Sequence, residues 1–367
     1  MKGFLTSILV AVLFLFSCSK DNPVVSPPND QNPFPQNPSL SIKVDARLEL
    51  LAVIQHFTDW AAQRHTKFNF QYKNEIDSYF KNFSGHSAVS LSQSLTNSGF
   101  SYDAPPTFVL YHSDPPEFKQ LYPYSSYLIQ RAGSEAKLKE FADQIRSFAN
   151  ASNFMDFYNS HKQFYTDIKN SIKGTIGDTD YVKILENYYG VKKAGYNITP
   201  VPLFHSGGYG PQISTADGEQ VFDLCGPQSV VNNKPAFGTK DYLLYIVLHE
   251  FSHSFVNPIT DKYSTDIAKS SSLFLPIKDK MQQQAYTNWQ TCVNEHLVRA
   301  NTARFAVQIR GKSYHDMYLQ SEINNGFIYI TKLDSLLQIY ESKRDVYKTY
   351  EDFYPEFIKL FNSLAQK

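Results

Sequence analysis

Apolar residues recur at helical spacing through most of the chain. In "DARLELLAVIQHFTDWA", Leu48, Leu51, Ile54 and Phe57 fall three residues apart, which sets them along one face of an α-helix. "SEAKLKEFADQIRSFANAS" repeats the pattern behind Ser134, a suitable N-cap. Lys137 stands three residues on, so the reciprocal Glu or Gln of a capping box is missing. "NFMDFYNSHKQFYTDIKNSIKG" is aromatic-rich at the same period and is expected to close at Gly174. Residues 44–195 therefore make a helical lobe. His56, His65, His86, His112 and His161 are scattered singly through it, a distribution that suits core or surface groups better than metal ligands.

The pattern changes at 196. "ITPVPLF" (Ile198 to Phe204) has the β-branched and apolar run of a strand. "YGPQIST" and "EQVFDLC" flank Asp217-Gly218, which predicts a hairpin. "FGTKDYLLYIVLHEFSHSFVNP" then predicts a helix, with Thr239 as N-cap, Asp241 in its first turn and Pro258 at its end. Helical spacing resumes to the carboxyl end, with no internal repeat. The fold class is α+β, mostly α: a helical amino-terminal lobe over 44–195, then a second lobe over 196–367 in which a small β-sheet precedes the helices.

The chain has 367 residues, 42% hydrophobic and 15% aromatic, with zero formal net charge. That is enough to bury a substantial core. The balanced charge and the lack of a basic run exclude nucleic acid as a partner. The beginning has its own character. Lys2 precedes the apolar run Phe4 to Phe16, too short for a membrane span. The run stops at "LFSC", which resembles a bacterial lipobox with Cys18 as the lipidated residue, so 1–18 is expected to be a lipoprotein signal peptide. "SKDN" after it resembles the surface-export tag of some Gram-negative lipoproteins. Residues 19–43, rich in Pro, Asn and Asp, are expected to be a disordered tether. The expected address is the Gram-negative outer membrane, facing periplasm or cell surface, with Cys18 as the membrane contact. Cys225 and Cys292 remain, as one disulfide or two buried thiols.

The chemistry concentrates in "YIVLHEFSHSFVNP". His249 and His253 are about 400° apart round a helix, so both imidazoles share one face about 6 Å apart. Both Nε2 atoms can then reach one Zn²⁺ at roughly 2.0–2.1 Å. Glu250, about 100° from His249, would stand beside the metal as general base. The flanks, Ile246-Val247-Leu248 and Ser254-Phe255, are uncharged, as a buried active-site helix needs. Polar groups on such a helix are expensive unless a metal pairs with them.

A third ligand is required. The HExxHxxGxxH pattern is excluded, because Val256 and Ile259 occupy its later positions. Asp241 lies upstream on the same helix and cannot fold back. Asp261, Asp266, Glu295 and His296 remain, and Glu295 in "NWQTCVNEHLVRAN" is the choice. Through "HEFSH" and "NEHLVRA" the chain resembles the gluzincins, zinc peptidases whose third ligand is a glutamate on a second helix antiparallel to the first. That resemblance implies a zincin-like core. Gluzincins often carry an aspartate four residues after this glutamate; here Arg299 stands there. It also implies a transition-state or substrate contact downstream, for which His315, Tyr329, Tyr314, Tyr318 and Arg299 are candidates. A substrate-binding sheet edge is expected at Tyr209–Thr215 or Val221–Leu224.

"HEFSHSFVNP", "NEHLVRA", "GFIYI" and "YESKRDVYKTYEDFYPEFI" also resemble an uncharacterised family of bacterial envelope lipoproteins, filed as a domain of unknown function with a gluzincin-like core. The resemblance covers most of 44–367 and implies one continuous unit. The expected function is zinc-dependent peptide-bond hydrolysis of a peptide or protein substrate, with one Zn²⁺ on His249, His253 and Glu295. The alternative is a non-catalytic surface lipoprotein that binds protein or glycan and keeps a vestigial zinc site.

Overall fold

A computed structural model describes residues 40–366. The signal peptide, Cys18 and most of the tether lie outside the described residues. Leu40–Ile42, at the end of the stretch assigned to the tether, is instead strand β1. It pairs in parallel with β2 (Gly195–Pro200), which pairs in parallel with β5 (Gly218–Gly226). β3 (Gly207–Tyr209) and β4 (Gln212–Thr215) both run antiparallel to β5, one beyond the other. They form a single interrupted edge strand. The predicted Asp217-Gly218 turn joins β4 to β5, with Gly218 at φ +116°.

The strand expected over Ile198–Phe204 covers only its first three residues, because pairing stops at Pro200. A second proline at 202 cannot donate to a ladder. Residues beyond it dock on the helical lobe: Thr66 N–H donates to Leu203 O (2.9 Å) and His205 N–H to Arg64 O (3.1 Å).

The structure is mostly helical, with a small mixed sheet. Ala46–His56 carries the predicted stripe, and Leu48, Leu51 and Ile54 are fully buried. Ser134 caps Glu135–Ala151 through the Lys137 N–H. The aromatic-rich stretch divides into Phe154–Ser160 and Lys162–Ile176. Its end is Gly177 at φ +62°, not Gly174, which continues the helix. Glycine inside a helix costs only about 1 kcal/mol, whereas a positive φ stops the helix outright. Buried apolar residues of both lobes make one continuous core. Cys225 and Cys292 are separate buried thiols. Among the described residues no helix is long and apolar enough to cross a membrane.

Two long helices carry the site. The motif helix, Lys240–Lys262, is capped by Thr239 through the Tyr242 N–H (3.3 Å). It does not stop at Pro258 but runs four residues further. Proline there leaves the carbonyl of Ser254 without its helical donor. Lys193 replaces it, its Nζ donating to Ser254 O at 2.9 Å. The second helix, Trp289–Arg310, is capped by Asn288 (2.9 Å to Thr291 N) and carries Glu295. Asp261 meets Gln290, His253 meets Glu295 and Tyr245 meets Arg299. Numbers fall on one helix as they rise on the other, so the pair is antiparallel.

Candidate metal centre

His249 and His253 leave the motif helix one turn apart and meet Glu295 of the facing helix. The two Nε2 atoms are 3.2 Å apart. Glu295 Oε1 is 3.5 Å from His253 Nε2, and Oε2 is 3.8 Å from His249 Nε2. Ligands about 2.05 Å from a tetrahedral zinc stand about 3.3 Å from one another, so the three side chains stand within about half an ångström of the spacing of a tetrahedral metal site. Among the described residues this is the one His/Cys/Asp/Glu group that could hold a metal ion. All three are buried, with exposures of 0–2%.

Burial sets the protonation of the donors. It pushes His249 well below the usual imidazole range, helped by His253 and Arg299. It takes His253 down to about 3. Both rings are therefore neutral and carry a lone pair. Asn257 Oδ1 accepts from His253 Nδ1 at 3.3 Å, which turns Nε2 toward the other donors. Burial lifts Glu295 to about 7 against the pull of Arg299. Glu295 Oε1 has no hydrogen-bond donor, and a buried carboxylate oxygen in that state calls for a cation.

Glu250, fully buried on the next position of the motif helix, lies under the edge strand. A Cβ on Gly208 would stand 3.1 Å from Glu250 Oε1 and 3.2 Å from Asp223 Oδ1. One on Gly210 would stand 2.7 Å from Glu250 O and 3.0 Å from Oε2. These two glycines let the strand close over the carboxylate. Neither oxygen of Glu250 has a hydrogen-bond partner. Burial, followed by the charges of Asp223 and Glu295, holds its pKa well above the usual range. Burial likewise lifts Asp223 to about 7. A divalent cation beside such a carboxylate reverses this trend.

Arg299 organises the groups behind Glu295. Its Nε donates to Glu295 Oε2 (3.0 Å) and its Nη1 to Glu322 Oε2 (2.7 Å) and to the Tyr245 hydroxyl (3.1 Å). Its Nη2 donates to the Tyr286 hydroxyl (3.2 Å), and the guanidinium lies over Phe327 at 4.3 Å. Tyr245 donates to Glu322 Oε1 (3.0 Å) and stacks on the His249 ring with centroids 5.5 Å apart. At the position where gluzincins were expected to place an aspartate, Arg299 thus joins Glu322 and Tyr245 in a network that orients Glu295.

The other candidates are engaged elsewhere. His315 Nε2 bonds Asp334 (2.7 Å) and its Nδ1 bonds Asp316 (2.9 Å). The Tyr329 hydroxyl donates to Leu273 O (2.8 Å). Neither is brought to the centre, because folding gives each a nearer partner. Tyr314 and Tyr318 donate to Asp241, although the Tyr318 ring stacks on Tyr245. His296 faces away from the metal donors, its Nδ1 on Cys292 O (2.7 Å). Asp261 holds Gln290 and Asp266 holds Lys269 (both 2.6 Å). Tyr209–Thr215 lies on the sheet edge, whereas Val221–Leu224 is interior to β5, between β2 and the edge strand.

Tyr245 and Asn257 were readable, standing four residues before His249 and four after His253 on one helix face. Glu322, Tyr286, Asp223 and the two glycines had no local signal, since they come from distant segments.

Residues 40–360 match the model of a family described as a domain of unknown function, DUF4932. No curated protein and no solved structure matches the chain.

Proposed function

The chain belongs to that DUF4932 family, and from the geometry of its centre we propose that it is a zinc-dependent hydrolase acting on peptide bonds. The observation that carries this is the set of three neutral or acidic donors at 3.2–3.8 Å, with Glu250 one position along the same helix. Three protein ligands leave a fourth position for substrate chemistry, the mark of catalytic rather than structural zinc. His249, His253 and Glu295 would hold the ion, which supplies Lewis acidity when bound. Glu250 accepts the proton of the attacking water and hands it to the leaving amine. Arg299, Tyr245 and Glu322 keep Glu295 oriented. Gly208 and Gly210 hold the edge strand against Glu250 and exclude bulk water. The edge strand β3–β4 offers the backbone groups that would align an extended peptide.

A second reading rests on the closure of the centre, whose residues are at most 2% exposed. In it the ion only braces the two helices of a non-catalytic binding protein. Purified wild type and Glu250→Gln, assayed for metal and on a peptide library, separate the two. One zinc per chain in both, with cleavage by wild type alone, supports the hydrolase. Zinc in both and cleavage by neither supports the brace. A wild type without zinc defeats both readings. Glu295→Ala should lose the metal, while His296→Ala should keep it.

We also propose that lipid on Cys18 holds the protein at the cell envelope. Labelled palmitate should enter wild type and be absent from Cys18→Ser.

A further inference from the structure

Gln308 lies about 20 Å along the second helix from Glu295, at 1.5 Å per residue. There the helix Tyr181–Tyr189, the end of the second helix and the end of helix Ile330–Ser342 converge. They form a pocket of about 380 Å³ whose lining includes Asp180, Lys183, Asn187, Gln308, Glu341 and Arg344. Its acids are already engaged. Asp180 Oδ1 accepts from the Lys183 N–H at 3.0 Å, capping its helix. Glu341 sits in the fork of Arg304, at 2.9 and 2.5 Å.

Its cations lack an ionic partner. Among the described residues, neither Lys183 nor Arg344 has a carboxylate within the 4.0 Å reach of an ion pair. Arg344 lies over the Tyr340 ring at 4.5 Å, and its Nη2 is held by Asn187 O (3.0 Å) and Lys348 O (2.8 Å). Its Nη1 is shielded from solvent and has no partner. The nearby Asp352 carboxylate is spent on the Thr349 N–H (2.8 Å). A guanidinium fixed at the pocket wall by two carbonyls and a ring, with no carboxylate to balance its charge, is preorganised to attract an oxyanion. Burial also holds Arg344 below its ordinary pKa, as a desolvated cation without a counterion should be.

We propose that this pocket binds a phosphate group, with the charges of Arg344 and Lys183 neutralising it and the Asn187 and Gln308 amides meeting its oxygens. Two cations and two amides match a tetrahedral dianion better than a planar carboxylate. The volume exceeds that of a bare phosphate, so the ligand is a phosphate ester. Its remainder has room in an adjoining groove of about 720 Å³, which shares Asp180, Lys183 and Asn187 and adds Lys192. That groove reaches Leu40, where the described chain begins. A soluble phosphate ester and a lipid headgroup present the same group to the pocket.

The test uses the full chain in two titrations. One follows inorganic phosphate by calorimetry. The other compares vesicles of phosphatidylcholine with vesicles containing phosphatidylglycerol, so that any lipid anchor contributes equally to both. Arg344→Gln and Lys183→Gln should each weaken phosphate binding at least tenfold while zinc content stays at the wild-type level. Lys183 is exposed, so that variant keeps its fold and guards against misreading an unfolded Arg344→Gln. Preference for phosphatidylglycerol that disappears in both variants assigns the site to a lipid headgroup. Phosphate binding without that preference assigns it to a soluble ester. No response to either probe, or equal binding by wild type and both variants, overturns the proposal.

Discussion

Replacing Arg299 by methionine isolates the network behind Glu295, the proposed third ligand. Methionine keeps much of the side-chain volume over Phe327 but removes five N–H donors. Glu295 loses a donor at 3.0 Å and Glu322 one at 2.7 Å, and both carboxylates are at most 4% exposed. Breaking a buried pair by deleting one partner costs about 3–5 kcal/mol, because the remaining charge is stranded. At about 2 °C per kcal/mol for a unit of this size, Tm should fall by roughly 6–10 °C in metal-free protein. Zinc affinity should fall about 10–100-fold, or about 1.4–2.7 kcal/mol, because the ligand carboxylate is no longer oriented. Adding Glu322→Gln neutralises one stranded group, so Arg299→Met/Glu322→Gln should be more stable than Arg299→Met alone. Thermal unfolding of the four chelator-treated proteins completes the cycle. If Arg299→Met costs under about 1 kcal/mol, or the two changes simply add, the network is not the support described.

Three further outcomes are expected. Gly210→Ala puts a Cβ 2.7 Å from the Glu250 carbonyl, so unfolding measurements should show a loss of about 1–3 kcal/mol, with zinc content unchanged; a neutral substitution would mean the strand is not pressed on Glu250. Lys193→Met removes the donor to Ser254 O and should cost about 1–3 kcal/mol; Lys193→Met/Pro258→Ala should recover much of it, since residue 258 then has its own N–H. Glu49, lifted by burial from 4.5 to about 8, holds a proton that the unfolded chain has lost over that range. Its contribution is therefore full below about pH 4.5 and is lost as pH rises toward 8, by about 1.4 kcal/mol per pH unit at most; Glu49→Gln should flatten this slope in pH-dependent melts, and parallel curves would refute it.

Much of the centre was legible because its geometry is local. A helix fixes two side chains four residues apart wherever that helix lies, so His249, Glu250 and His253 followed from spacing and from the uncharged flanks. Glu295 followed from a second helix of the same buried character, together with the resemblance to gluzincins. Thr239, Ser134 and Asp217-Gly218 likewise act within a few residues of themselves. The helix ends were less legible. Pro258 should stop a helix by any local rule, but Lys193, some 60 residues earlier, supplies the missing donor.

What the chain alone decides here is therefore which groups can bind a metal and on which helices they ride, because propensity, capping and side-chain period operate over four residues or fewer. Which groups stand behind them was decided by packing. Arg299 meets Glu322, Tyr245 and Tyr286, Glu250 meets Asp223 beneath Gly208 and Gly210, and His315 and Tyr329 are drawn off to Asp334 and Leu273. Those pairings join segments tens of residues apart. They are settled only when burial removes water and each polar group must take the partner within reach.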